Sequence, residues 1–253
     1  GNTGNDGPAT SASLKYPSGL FVTSLGMLYF ADTNNQMIRA VNLASGVIQL
    51  IAGTGSFGRS GDGRAATLAK LATPSDVWLN TKGDVFIADT NNNRVRVISG
   101  STSIISTYAG TGSMVGEETN GVNATQSIVL FPISLVGDTL SNLYVFSTGS
   151  YTIRRVDYET KIITAYAGLG LSGYSGDQIA ATAAMFTEVN GLGIDLNSDV
   201  LVPDARNCRV RKVYTVSDPT SLPSSQPSNR PTSQPTRRPT SQPTRQPTAK
   251  PSG

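Results

Sequence analysis

The sequence of 253 residues contains no histidine and a single cysteine, Cys208, and only 15% of its residues are charged. Without histidine there can be no Ser-His-Asp arrangement and no zinc held by imidazole, and the commonest general base is missing. One cysteine excludes an internal disulfide and a cysteine-built metal site. No apolar run approaches the roughly 20 residues of a membrane-spanning helix. An initiator methionine and a signal-peptide pattern are also absent, so a processed chain or a piece of a longer one is expected. Hydrophobic residues make up 38% and aromatics 7%, against 26 glycines and 14 prolines. Such a composition favours short elements separated by many turns.

Charge divides unevenly. Residues 1–214 hold 15 basic and 16 acidic side chains, whereas residues 215–253 hold five and one. The basic excess belongs to the C-terminal segment, and a nucleic-acid footprint on the preceding part is not supported.

What the chain does have is a repeat. Ala31-Asp32-Thr33-Asn34-Asn35 returns as Ala88-Asp89-Thr90-Asn91-Asn92, and an arginine follows and continues as Arg39, Arg96, Arg154 and Arg211, spaced 57, 58 and 57. Ala52-Gly53-Thr54-Gly55 returns at 109–112 and again as Ala167-Gly168-Leu169-Gly170, and Pro17, Pro74 and Pro132 keep the same interval. Self-similarity at one period is the signature of a repeat architecture. In the second copy the pattern predicts strands over Asp76–Leu79, Asp84–Ala88, Arg94–Ile98 and Ile105–Ala109, separated by turn residues. Four antiparallel strands per unit, repeated along the chain, make the blade of an all-β propeller. Three units are full, and a fourth offers strands only over Gly191–Leu196, Val200–Asp204 and Cys208–Tyr214. About four blades, the last incomplete, are therefore expected over residues 1–214. A β-sandwich would not repeat its own sequence at this period.

The stretch from Gly53-Thr54-Gly55 through Ser60-Gly61-Asp62-Gly63-Arg64-Ala65-Ala66-Thr67, Leu71 and Pro74 to Gly83–Arg96 resembles the NHL repeat. The resemblance implies a segment of a six-bladed ring. It also implies a binding platform or receptor ectodomain and, for a minority of such propellers, an enzyme. Two departures stand out. Copy three has Ser147-Thr148-Gly149 in place of Asp-Thr-Asn, and copy four has Pro203 in its second strand, where a middle strand seldom accepts proline.

After Tyr214 the composition changes, with proline at every fourth position from Pro219 to Pro251 among Ser, Thr, Gln and Arg. Such a segment buries no core, and a disordered stalk or linker of polyproline-II character over 215–253 is expected. Its wording resembles Pro-Thr tracts of secreted and cell-surface proteins of algae and other stramenopiles. O-glycosylation there and N-glycosylation at Asn123-Ala124-Thr125 are expectations of the same kind.

Candidate chemistry is sparse. Gly53-Thr54-Gly55-Ser56-Phe57-Gly58 matches a dinucleotide fingerprint, but the glycines recur in another blade, as crossover turns would. The recurring Asp32, Asn35 and Arg39, then Asp89, Asn92 and Arg96, and finally Asp204, Asn207 and Arg211 read as structural turn and pairing residues. Arg154 reads as structural in the same way, and because its copy lacks the aspartate its blade is the place to look for an arginine free to bind something. Glu188, just before Asn190-Gly191, is the one acid nominated for a central channel, against its first reading as a solvated loop acid. Cys208 reads as a small hydrophobe. The expected function is non-enzymatic binding of a protein or glycan outside the cell. The surface proposed for it carries the glycine-rich crossovers (Gly53–Thr73, Gly110–Leu130, Gly168–Phe186) and the Asp-Thr-Asn turns. No cofactor, nucleic acid or membrane span is expected, and self-association through open propeller edges is. The alternatives are a propeller lyase or hydrolase with catalytic groups partly in other blades, and an intracellular scaffold.

Overall fold

Each repeat folds as a meander because its apolar runs are short and end in residues that turn the chain. A computed structural model of the protein describes residues 1–215. Blade 1 contains β1 (Pro17–Val22), β2 (Met27–Asp32), β3 (Met37–Asn42) and β4 (Ile48–Ala52), hydrogen-bonded in that order. A two-residue strand, β5 (Arg64–Ala65), precedes blade 2, which contains β6 (Pro74–Leu79), β7 (Val85–Asp89), β8 (Arg94–Ile98) and β9 (Ile104–Ala109). Next comes β10 (Val122–Asn123), followed by blade 3 with β11 (Pro132–Gly137), β12 (Leu143–Ser147), β13 (Thr152–Val156) and β14 (Ile162–Ala167). Among the described residues blade 4 has three strands, β15 (Gly193–Ile194), β16 (Val200–Asp204) and β17 (Arg209–Val213). The fold is thus the expected all-β propeller of four blades, the last one incomplete. The Pro-rich segment lies outside the described residues from residue 216 onward.

Three details differ from the sequence expectation. The innermost strand begins earlier, at Pro74, because a bulge lets Pro74 face Asp89 while Asp76 faces Ala88. The innermost strand of blade 4 shrinks from Gly191–Leu196 to Gly193–Ile194. Pro203 stands where Gly191 would pair and has no N–H to offer, so the ladder starts two residues later. Finally, the crossovers do more than bridge blades. β5 pairs with β9 and β10 with β14, so each crossover also lines the outer edge of the blade it enters.

Apolar side chains meet between neighbouring sheets. The seam of blades 1 and 2 gathers Ile38, Leu71, Val77, Ile87 and Ile105, and that of blades 3 and 4 gathers Tyr144, Phe146, Phe186, Val189 and Val202. Between blades 2 and 3 the rings of Trp78, Phe86 and Tyr108 form a ladder with centroids 5.4 and 4.9 Å apart. Strand β7 is buried along its whole length, as a strand covered by sheets on both faces should be. Polar staples also cross the seams. Gln36 and Asn93, both at positive φ, accept the backbone N–H groups of Thr73 (2.5 Å) and Phe131 (2.9 Å) in the next blade.

Phe21, Tyr29 and Phe30, apolar residues that an open edge at blade 1 would expose, turn inward instead, Phe30 buried and the other two half-buried. Phe21 packs edge-on against Trp78 with centroids 6.4 Å apart, Tyr29 joins the first seam, and Phe30 is buried. The exposed apolar groups of that flank are Tyr16, Leu20 and Val22 instead.

Candidate functional site

The repeated Asp-Asn-Arg signature forms one network per blade. An aspartate ends strand two and the chain makes a single 3-10 turn, leaving through a left-handed residue: Gln36, Asn93 or Cys208. The carboxylate of Asp32, Asp89 or Asp204 then accepts the N–H of Lys15 (2.8 Å), Ala72 (2.7 Å) or Thr187 (3.0 Å), each at the entrance to strand one. Its other oxygen accepts from Asn35 (2.8 Å), Asn92 (2.7 Å) or Asn207 (2.9 Å) and lies 3.3–3.5 Å from Arg39, Arg96 or Arg211. The arginine reaches on to the crossover, Arg39 to Asn5 (2.8 Å), Arg96 to Asp62 (2.5 Å) and Arg211 to Asp177 (2.8 Å). Burial pushes the Asp89 carboxyl up, against the hydrogen bonds of Asn92 and Ala72 and the charge of Arg96. These side chains are spent on one another and on buried backbone, so they tie crossover to blade.

Blade 3 solves the same problem differently. Ser147 takes the place of the aspartate, and Glu118 from the crossover supplies the carboxylate, with Oε2 3.3 Å from Arg154 Nη1. Glu118 also accepts from Ser150 (2.6 Å) and Thr152 (3.0 Å), and Arg154 donates to the Thr119 carbonyl at 2.7 Å. Arg154 is therefore not the free arginine expected from the missing aspartate. Glu118 lies 36 residues before it in a loop with no matching acid in the other copies, so the period could not reveal the pair.

Glu188 is the solvated acid and not the channel residue. It pairs with Arg206 at 3.0 Å, both largely exposed, and does not line the channel. Cys208 is exposed at φ 52°, a turn position and not a core one. Exposed Asn123 caps a short turn, its Oδ1 accepting from the Thr125 N–H (3.1 Å) and hydroxyl (2.7 Å). Among the described residues no three acidic or sulfur side chains converge as a metal would require.

The channel acid is Asp76. The inner strands of all four blades surround a cavity of about 490 Å³ lined by Ser18, Gly19, Ser75, Asp76, Ser134 and Asn190 among others. Asp76 accepts the Leu135 N–H (2.8 Å), the Ser134 hydroxyl (3.0 Å) and its own neighbour's N–H at Val77 (2.9 Å). Burial outweighs these bonds and pushes its carboxyl up to about 6. One blade on, Ser134 Oγ accepts the Leu192 N–H at 2.8 Å, so the same register latches blade 2 to 3 and blade 3 to 4. In blade 1 the position is Gly19, and it must be glycine, because a Cβ there would collide with Asp76 and the Ser75 carbonyl. Setting Gly19, Asp76, Ser134 and Gly191 in one column marks Asp76 as the odd residue. That signal was available in the sequence.

The outer surface of the crossovers has a different character. Phe57, Met114, Val115 and Leu171, near the glycine pairs that open each crossover, are 56–85% exposed. Their glycines adopt positive φ at Gly53, Gly55, Gly110, Gly112, Gly168 and Gly170, which permits the same turn in each loop, and the N–H groups of Gly53, Gly110 and Gly168 tie its base to the carbonyls of Ala66 (3.0 Å), Ala124 (2.9 Å) and Ala181 (2.9 Å).

Comparison with known proteins agrees with this geometry. The NHL repeat model matches residues 71–98, and the model of the PT disordered repeat matches residues 218–253. The human NHL repeat-containing protein 2 is 29% identical over 166 residues, which is 60% of this chain and 22% of that protein. The chain thus spans about a fifth of the length of the curated relatives it matches first. An auxiliary nutrient binding protein from Bacteroides thetaiotaomicron superposes with a TM-score of 0.58 at 16% identity, over 78% of this chain and 47% of its own. A streptogramin B lyase superposes with a TM-score of 0.52 at 10% identity, over 81% and 53%. Likeness at that identity speaks for the fold alone. The NHL match falls on blade 2, and the PT match begins after blade 4.

Proposed function

We propose that this chain is a non-enzymatic binding propeller, displayed outside the cell, that holds a protein partner on its crossover surface. The observation that carries the reading is the pairing of spent polar groups with unspent apolar ones. The Asp-Asn-Arg networks occupy their own charges, whereas Phe57, Met114, Val115 and Leu171 stand in solvent on loops whose bases are tied to the crossover by backbone hydrogen bonds. Exposed apolar side chains on rigid loops suit a protein surface better than a glycan, and they are where binding usually resides. The PT-type segment supports the extracellular placement, as the spacer that would hold the propeller away from a surface. The lyase reading rests on Asp76, the one channel carboxyl that would accept a proton near neutrality, yet both of its oxygens are already occupied by three donors.

The test compares the native chain with the triple variant F57S/M114S/L171S in binding to surface extracts of the source organism. A retained protein that the triple variant loses and D76S keeps supports the reading. Equal retention by the triple variant and the native chain defeats it. Release of glycosidase-sensitive mass from the secreted protein supports the extracellular placement.

A further inference from the structure

In blades 1 to 3 the fourth strand lies in a slot with two walls. In blade 2 one wall is β8, which faces β9 through Val95↔Ala109, Arg96↔Thr107 and Ile98↔Ile105. The other wall is the crossover, where Gly63 and Ala66 donate to the carbonyls of Ile105 (2.8 Å) and Ser103 (3.1 Å). Asp6 and Ala9 do the same for Ile48 and Gly46 in blade 1, and Gly121 and Ala124 for Ile163 and Lys161 in blade 3. Blade 4 possesses both walls, β17 and the crossover at 168–186, but among the described residues no strand lies between them.

Burial registers the difference. Ile38, Val95 and Ile153 form the floor of the filled slots at 0% exposure, whereas Val210 in the same register is 74% exposed. Gln178, at φ 65°, and Ala181 correspond to Gly63 and Ala66, and their N–H groups make no backbone bond among the described residues. In the filled blades strand four opens six residues after strand three ends. The same count from Val213 falls on Pro219-Thr220-Ser221-Leu222-Pro223, and proline has no N–H to enter a ladder.

The filled slots also spell out what fits. Opposite the floor residue stands Ala52, Ala109 or Ala167, each buried, and at the far end Ile48, Ile105 or Ile163, likewise buried. In between, the Thr107 hydroxyl donates to Asp62 Oδ2 at 2.7 Å. Asp177 takes the place of Asp62 in blade 4, fixed by Arg211 Nε at 2.8 Å, with a Tyr174 hydroxyl at 3.1 Å and more than half its side chain in solvent. We infer that the slot of blade 4 is a binding site for an extended segment of a partner polypeptide with the pattern Ile-x-Thr-x-Ala-Gly, added as a strand to β17. A second copy is not the donor, because its own strands of this pattern are buried inside blades 1 to 3.

The test uses the full chain and a fluorescein-labelled peptide with the sequence of residues 104–112. Saturable binding by anisotropy is expected, with slowed hydrogen exchange at residues 209–213 and 178–181. The substitution T107V in the peptide should weaken binding about tenfold, by removing a hydrogen bond to a charged acceptor. V210D in the protein, at an exposed position, should abolish binding while leaving the melting temperature in place. Absence of saturable binding at millimolar peptide, or equal binding of a scrambled peptide, overturns the inference. So does full exchange protection of β17 before any peptide is added, since the slot would then be filled already. None of these readouts involves the crossover tips, so this site and the proposed partner surface stand or fall separately.

Discussion

Replacing Asp76 by serine copies into blade 2 the latch that blade 3 already uses, where Ser134 Oγ accepts the Leu192 N–H at 2.8 Å. The variant keeps an oxygen for the Leu135 N–H and removes a titrating group. In the native chain burial pushes the Asp76 carboxyl from 3.8 to about 6. A carboxyl whose folded value exceeds its unfolded value holds its proton more tightly when folded. Its contribution to stability is therefore complete below about pH 3.8 and is lost as the pH rises through about 6. At about 1.4 kcal/mol per unit, a shift of roughly two units corresponds to ~3 kcal/mol between pH 3.5 and pH 8. The serine variant sacrifices accepted hydrogen bonds worth about 1 kcal/mol at every pH. Relative to the native chain it should thus be about 1 kcal/mol weaker at pH 3.5 and about 2 kcal/mol stronger at pH 8. Urea unfolding at both pH values measures the difference, and taking variant against native cancels the other carboxyls. Trp78, the single tryptophan, packs between Phe21 and Phe86 two residues from the substitution and reports the transition. A difference between variant and native that stays constant from pH 3.5 to pH 8 would refute the reasoning.

Three further substitutions test the blade networks and the crossover backbone. D89A strips Arg96 of a buried partner and leaves the Ala72 N–H without an acceptor, and should cost about 3 kcal/mol in urea unfolding; E118A should cost a similar amount in blade 3, since Glu118 plays the aspartate's part there. G53A places a Cβ against the Gln36 carbonyl at a residue with φ 97°, and should cost at least ~2 kcal/mol, seen as a lowered calorimetric midpoint.

Much of this architecture could be read in the sequence because repetition exposes it. The period of 57–58 came from residues that satisfy buried backbone, and those residues tolerate little change, so Asp32, Asp89 and Asp204 with their arginines returned on schedule. Strand two was visible because Val85, Phe86 and Ile87 are buried on both faces and carry no alternation. Strand edges were harder, as at Pro74, because a bulge shifts the register without leaving a mark in the hydrophobic pattern. What could not be read was pairing between elements far apart in the chain. Glu118, which has no counterpart at its position in the other copies, reaches the periodic Arg154 through a crossover, and β5 reaches β9 across a similar distance. Glu188 was nominated for the channel by its proximity to strand one, but it lies before the strand's true start and turns outward to Arg206.

The seams show where this chain departs from a uniform repeat. Between blades 1 and 2 the Ser18 hydroxyl donates to the Ser75 carbonyl at 2.8 Å, and between blades 2 and 3 Ser75 donates to the Ile133 carbonyl at 3.0 Å while Thr90 donates to that of Pro132 at 2.8 Å. The next column holds Ile133, which has no hydroxyl, and Thr148, which turns back to the Phe131 carbonyl of its own blade at 3.2 Å. Blade 4 is therefore joined through the apolar seam, the Ser134 latch and the Tyr166 hydroxyl, which donates to the Val213 carbonyl at 3.2 Å, without the Ser and Thr staples that secure the inner strands of its neighbours. It is also the blade whose inner strand is shortest and the one that has no fourth strand among the described residues. A strand added to β17 would cover Val210 and extend the sheet that packs on blade 3, so its binding energy adds directly to the stability of the least secured blade. The uniform residues hold the propeller together, and the departures concentrate at the edge where a partner strand would be felt most.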